Sequence, residues 1–188
     1  MHHTYVTRGI VLARTHIGEA STSITVLTHD LGLVRARAQG LRKPGAKLAS
    51  ALQTLAECDV SFIRGKEYWR ISGALLVRNW FNELSRPARE RASRVASLIL
   101  RFVTGDVRDG TFYLMFTSFL EQLLTLSDEE ADAAECLVAL RILHALGLDA
   151  GDIPGGMDGY TPEVLTDVAD NRTELIKRIN RGIAASGL

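Results

Sequence analysis

The chain has 188 residues, 46% of them hydrophobic and 23% charged, with 22 Lys and Arg balanced by 22 Asp and Glu. That length holds one ordinary domain or two small ones, and the balance is that of a soluble globular protein, which excludes a disordered tail and a membrane bundle. No apolar run reaches the roughly 18 to 20 residues of a spanning helix, and the two cysteines, Cys58 and Cys136, lack CxxC partners, so neither a disulfide framework nor a four-thiolate zinc site is expected.

The zero formal charge hides a division along the chain. Residues 1–80 carry 11 Lys and Arg against 5 Asp and Glu, a net of +6; residues 81–188 carry 11 against 17, a net of −6. Either the first half meets a polyanion while the second avoids it or takes a basic partner, or the contrast is ordinary surface variation. Residues 1–14 place apolar residues in alternation and lack the apolar block of a signal peptide, so a cytoplasmic location is expected. His2 and His3 read as solvated neighbours, and Cys58 and Cys136 as buried thiols.

Residues 5–77 have the period-two pattern of strands with one buried face. Val6, Ile10 and Leu12 mark a first strand. Residues 22–28 form a second, with Ile24 and Val26 alternating with Ser23, Thr25 and Leu27. His29-Asp30-Leu31-Gly32 is a turn, and Gly32 is suited to the positive φ of a tight reversal. In a third strand, residues 33–40, Val34, Ala36 and Ala38 fall on one face and Arg35, Arg37 and Gln39 on the other. Residues 41–51 read as a basic loop through Arg42-Lys43-Pro44-Gly45, leading into a short helix near residues 47–51. Residues 55–63 and 68–77 give two more strands, joined by a turn at Arg64-Gly65-Lys66-Glu67. Five strands, with a long excursion between the third and fourth, fit a five-stranded OB-type barrel.

After Trp80 the spacing becomes helical. Ala92, Val95, Ala96, Ile99, Phe102 and Val103 form one apolar stripe opposite Arg89, Arg91, Arg94 and Arg101. Residues 105–110 break this helix, and residues 111–126 form a more apolar one expected to sit centrally. Ser127 followed by Asp128, Glu129 and Glu130 starts a third helix that Gly147 stops. Residues 149–159 are a Gly-rich loop, Thr161-Pro162-Glu163 opens a short helix, and a last helix covers residues 173–185. The expected fold class is therefore α+β and multi-domain: a five-stranded OB-type barrel over residues 1–80 and an all-α helical domain over residues 81–188.

The main functional signal is the run Arg35, Arg37, Arg42, Lys43 and Lys47, with no acidic residue between Leu31 and Ala56. Arg35 and Arg37 share the outward face, and the loop extends it into a stripe that tracks a phosphate backbone; a solvated strand face is the plainer alternative. Tyr68 and Trp69 are candidates for base stacking, and because neighbours in a strand face opposite ways only one of them points outward. The phosphate-loop, nucleophile-elbow, HExxH and dinucleotide signatures are missing, so no catalytic residues, metal or cofactor are expected. Asp128 to Glu130 read as helix capping, His144 as a packed histidine, and the Gly-rich loop as a linker.

The segment from Thr22-Ser23 through Gly32-Leu33-Val34-Arg35-Ala36-Arg37-Ala38-Gln39-Gly40-Leu41-Arg42-Lys43 to Leu48-Ala49-Ser50-Ala51-Leu52-Gln53 resembles the N-terminal OB domain of bacterial RecO recombination mediators. The likeness covers about 80 residues, and residues 137–147 resemble the family's Leu-rich helix ending in Leu-Gly. The resemblance implies a cytoplasmic, nucleoid-associated mediator that binds single- and double-stranded DNA, anneals strands, and helps load a recombinase onto DNA coated by single-strand-binding protein. It implies a RecR-like partner, DNA contact by Arg35, Arg37, Arg42, Lys43 and Lys47, and capture of the single-strand-binding protein's tail by Arg89, Arg91, Arg94 and Arg101. Two departures stand out: the four-cysteine zinc element of many members is missing, and the chain is shorter than most. A protein-interaction adaptor and an RNA-binding OB protein are the alternatives from other classes.

Overall fold

The computed structural model describes residues 3–17, 21–41, 48–103 and 110–187. The chain divides into two compact units, Met1–Glu83 with Thr104–Tyr113, and Leu84–Val103 with Leu114–Leu188.

The first unit is built on five strands, β1 (Thr4–Ile17), β2 (Ser21–Thr28), β3 (Gly32–Gln39), β4 (Ala56–Arg64) and β5 (Trp69–Asn79), followed by a single turn of helix, α1 (Trp80–Glu83). They close into a barrel in the order β1-β2-β3-β5-β4. Closure requires one strand to serve two neighbours, and β1 does so: its first half pairs with β4 (Thr4↔Ile63 to Ile10↔Glu57) and its second with β2 (Gly9↔Thr28 to Ile17↔Ser21). A register shift between Val11 and Ala13 marks where β1 bends to do this. The last joint is the parallel pairing of β3 with β5, through Ala36↔Trp69 and Arg37↔Arg70.

The barrel interior holds Val11, Ile24, Val26, Val34, Ala36, Ala38, Cys58, Val60, Phe62 and Ile71, with Leu41, Ala51 and Leu52 packed against them. The alternation expected of β3 is therefore met residue for residue. In β1 the phase differs. Val6 is 68% exposed and Thr7 is buried, so the inward side near the start of the strand is the odd-numbered one. Ile10 and Leu12 are buried as well, which makes Ile10-Val11-Leu12 a run buried on both faces, without a period to read. The reversal between β2 and β3 rests on Gly32 at φ 68°, with the Thr28 hydroxyl donating to the Gly32 carbonyl at 2.8 Å. The helix expected near residues 47–51 is absent from its described part: residues 48–50 form a turn closed by the Leu52 amide donating to the Leu48 carbonyl. Ala51 and Leu52, with Leu48 packed against them, join the barrel core from this stretch without needing a helical period.

The second unit consists of α2 (Arg86–Phe102), α3 (Thr111–Gln122), which begins in the first unit's segment, α4 (Asp128–Ala145), α5 (Pro162–Asp170) and α6 (Arg172–Ala185). Ser85 caps α2 and Thr161 caps α5, each with proline in the first helical turn; Ser127 and Glu130 form a reciprocal capping box on α4. Ala92, Val95, Ala96, Ile99 and Phe102 are buried as their spacing requires. The central helix is α4, which packs against α2, α5 and α6, whereas α3 leaves Leu114 exposed. Apolar content alone misassigned that place. The sides of α4 are covered through small residues, Ala131, Ala133 and Ala134, which raise no hydropathy signal.

The Gly-rich segment after α4 is held by arginines. Arg141, 2% exposed, donates from Nε to the Gly156 carbonyl at 2.9 Å and from Nη2 to the carbonyls of Asp158 and Gly159 at 3.0 and 2.8 Å. Arg178 of α6 grips the Asp149 carboxylate at 2.6 Å, which holds that carboxyl below the usual range. The loop is thus a pinned element of the fold.

Two substitutions test these constraints. At Gly9 a Cβ would lie 2.6 Å from Val26 Cγ1 and 2.9 Å from the Leu27 carbonyl, so Gly9→Ala is expected to destabilise the protein by roughly 1–3 kcal/mol in urea unfolding. Arg141→Met keeps the stem but leaves three loop carbonyls without their donor, and is expected to cost about 1–3 kcal/mol in the same measurement. Wild-type midpoints in either variant would refute the assigned constraint.

Candidate nucleic-acid interface

Alternation along β3 turns Arg35, Arg37 and Gln39 outward, all exposed, over the buried Val34, Ala36 and Ala38. Arg42, Lys43 and Lys47 lie outside the described residues. The barrel closure then sets β5 beside β3, with Arg70 directly across from Arg37. Lys66, in the turn after β4, lines a hollow with Arg70, whereas Arg64, opposite Trp69 in the β4–β5 register, lies over the Trp69 ring and lines a separate hollow with Arg35. Like charges placed opposite one another on a sheet repel, so the Arg37–Arg70 pair is a charge arrangement that an added anion would relieve.

Among the described residues, none of Arg35, Arg37, Arg64, Lys66 and Arg70 is in an ion pair. Elsewhere on the barrel Arg8 and Arg78 are engaged, whereas Arg14 on β1 has no ion pair among the described residues. Arg8 grips Asp59 at 2.9 Å on β4, and its hydrogen bonds hold that carboxyl below its ordinary range. Arg78 meets Glu83 at 2.7 Å and stacks on Trp80 with its guanidinium carbon 3.8 Å from the ring centroid. Most of the unneutralised charge is thereby on β3 and the β4–β5 hairpin, with Arg14 apart from it on β1.

Tyr68 and Trp69 separate as their adjacency demands. Trp69 turns in, edge-on to Tyr5 (centroids 5.3 Å apart) and to Phe62 (6.1 Å), and packs on the barrel core. Tyr68 turns out, 39% exposed, with the Arg37 guanidinium carbon 3.9 Å from its ring centroid. Two hollows flank it. One, of about 370 Å³, is lined by Gly65, Lys66, Glu67, Tyr68 and Arg70. The other, of about 340 Å³, has Leu48, Ile63 and Ile71 alongside Ser21, Arg37, Gln39, Tyr68, Arg70 and Ser72.

Arg64, Lys66 and Arg70 were passed over in the sequence, the first two as turn residues. The signal that locates them is topological: once five strands are read as an OB-type barrel, the fifth lies beside the third, and Arg70 has the outward parity of its strand. The four α2 arginines stand differently. Arg91 donates to the Asp128 carbonyl at 3.0 Å and lies 3.4 Å from Asp132 and from Glu135; Arg94 binds Glu135 through two bonds of 2.6 and 2.8 Å. Arg89 and Arg101 also have partners, Arg101 including the ring of Phe102.

A buried carboxylate also went unread. Glu57 accepts from Trp80 Nε1 at 2.9 Å and from the Tyr113 hydroxyl at 2.7 Å, and burial with that hydrogen bond pushes the phenol pKa upward. Beside it, burial pushes the Cys58 thiol up to about 12, so it stays protonated and unreactive at neutral pH. Glu57, satisfied on both oxygens, clamps α1 and Tyr113 to the barrel wall. Among the described residues no cluster of His, Cys, Asp and Glu has metal-holding geometry, and no helix is long and apolar enough to cross a membrane. What the exposed face offers chemically is charge and an aromatic ring, suited to binding.

Comparison with known proteins agrees with this architecture. The family model described as "Recombination protein O N terminal" matches residues 1–80. A DNA repair protein RecO of Dehalococcoides mccartyi is 28% identical over 186 residues, 98% of this chain and 68% of the relative. The RecO of Nostoc punctiforme is 26% identical over 165 residues, 87% of this chain and 52% of its own length. That of Acaryochloris marina is 38% identical over 80 residues, 43% of this chain and 27% of the relative. The chain thus spans about two thirds of the first of these relatives and about half of the second. The barrel is matched by the family's N-terminal model, and the alignment with a RecO relative continues through the helices, so the chain is similar to RecO proteins over nearly its whole length.

Proposed function

We propose that this chain works in DNA repair and recombination as a DNA-binding mediator, and that it holds DNA on the β3 and β4–β5 face of its barrel. The observation that carries this reading is the set Arg35, Arg37, Arg64, Lys66 and Arg70, gathered from three parts of the sequence onto one barrel and without ion pairs among the described residues. A surface of that kind gains free energy by displacing counterions from phosphates, with little dependence on base sequence. Arg42, Lys43 and Lys47 belong to the same proposed stripe by their place in the chain. In this reading residues 1–80 are the nucleic-acid-binding domain and residues 81–188 the helical domain.

The relatives are named for DNA repair, and the finer activities follow the same line of proposal. Single- and double-stranded DNA would share the cationic face, which suits strand annealing, because screening phosphates on two strands lowers their repulsion. Recombinase loading with a RecR-like partner, and capture of the acidic tail of single-strand-binding protein, complete the proposal. Docking of that tail on α2 would have to compete with Glu135 and Asp132 for Arg91 and Arg94, and with the existing partners of Arg89 and Arg101.

The test is a salt titration of a labelled single-stranded oligonucleotide against the wild type and a variant with Arg35, Arg37, Arg64 and Arg70 all changed to Gln. Each lost phosphate contact removes about 0.7 from the slope of log affinity against log salt, so the slope is expected to flatten by roughly 3. An unchanged slope in a variant of native circular dichroism, or a wild type that fails to bind at low salt, would sink the proposal.

A further inference from the structure

Tyr68 and Arg70 are the two side chains common to both hollows on the barrel face. They stand as a ridge, one hollow on the hairpin side and the other on the side of Arg37 and Gln39. Both hollows fall within the roughly 300–1,000 Å³ of small-molecule sites, so each has room for a planar base. They differ in lining. The β3-side hollow combines the apolar Ile63 and Ile71 with polar Gln39 and Ser72, as a base with an apolar face and hydrogen-bonding edges requires. The hairpin-side hollow is bordered by Lys66 and Glu67, yet more of its lining surface is apolar than polar.

Resting on the DNA-binding reading above, we infer that the Tyr68–Arg70 ridge separates two consecutive unpaired nucleotides, one base in each hollow, and that this makes the barrel face selective for single strands over duplex. Three features support the assignment. Tyr68 is held upright: its hairpin is closed by the Gly65 amide donating to the Tyr68 carbonyl at 3.1 Å, and Arg37 covers its ring at 3.9 Å. A ring fixed before binding loses little rotamer freedom on contact. Arg37 and Arg70, facing each other across the strand pair, flank the ring with two cations where the intervening phosphate would pass. Duplex DNA keeps its bases stacked and paired, so a wedge between neighbours has to unstack them first, whereas a single strand is already free to splay.

The experiment compares three ligands of equal length: a single strand, a duplex, and a single strand of abasic sites that keeps the phosphates and removes the bases. Tyr68→Leu is expected to weaken single-strand binding by about tenfold, the loss of one good base-stacking contact, and Tyr68→Phe to stay within about twofold of wild type. On the duplex and the abasic strand both variants are expected to match the wild type, because only phosphate contacts remain there. A Tyr68→Leu loss of equal size on all three ligands, or no loss on the single strand, would overturn the ridge while leaving the cationic face intact. A wild type that binds none of the three would overturn both readings.

Discussion

The parallel pairing of β3 with β5 is the constraint on which the proposed site depends. It consists of only two residue pairs, Ala36↔Trp69 and Arg37↔Arg70, and each does a different thing. Ala36 and Trp69 face inward, so closing the barrel there completes the core; Trp69 reaches Tyr5 and Phe62 and seals the end of the barrel. Arg37 and Arg70 face outward one residue along, so the burial that drives closure also forces two guanidiniums into register. The apolar gain on the inside offsets the repulsion on the outside. The barrel thereby stores an unfavourable charge arrangement at the place where an anion would relieve it.

Much of this was legible in the amino-acid sequence because period-two alternation survives wherever a strand has one wet face. In β3 it names both the core residues and the outward arginines. It fails where both faces are covered: Ile10-Val11-Leu12 in β1 carries no alternation, and extrapolating through it put Val6 on the wrong side. The outward place of Tyr68 was undecidable for a related reason. Parity says that Tyr68 and Trp69 differ, but only the Tyr5 and Phe62 rings, distant in sequence, decide which of them the core accepts. Arg64 and Lys66 hid in a turn, where a charge normally signals nothing beyond solvation.

Two buried polar residues lay beyond sequence reading altogether, and they share a logic. Glu57 and Arg141 each sit where a single side chain satisfies several groups that no secondary structure provides for: an indole and a phenol for one, three loop carbonyls for the other. A buried charge is tolerable only when its partners are fixed around it. Those partners come from residues 15 to 56 positions away, and no local pattern announces them. The consequence for the Gly-rich segment 149–159 is direct. Its glycines supply the backbone freedom of a linker, yet Arg141 and Arg178 take up that freedom and set the path of the chain between α4 and α5.

The charge division along the chain also changes meaning once partners are known. Counting gave +6 and −6, but a count treats every arginine alike. In the helical unit Arg91, Arg94, Arg172 and Arg178 are matched to Asp132, Glu135 and Asp149, so their charge is spent internally and orders the helices they join. In the barrel Arg8 and Arg78 are spent in the same way, on Asp59 and Glu83. The barrel cations left over among the described residues are those of β3 and the β4–β5 hairpin, together with Arg14 on β1. Net charge points to polyanion affinity only at the level of the first half of the chain. The pattern of ion pairs narrows it mainly to β3 and the β4–β5 hairpin, because a cation already bound to a carboxylate must give up that partner before it can meet a phosphate, and Arg35, Arg37, Arg64, Lys66 and Arg70 have none to give up among the described residues.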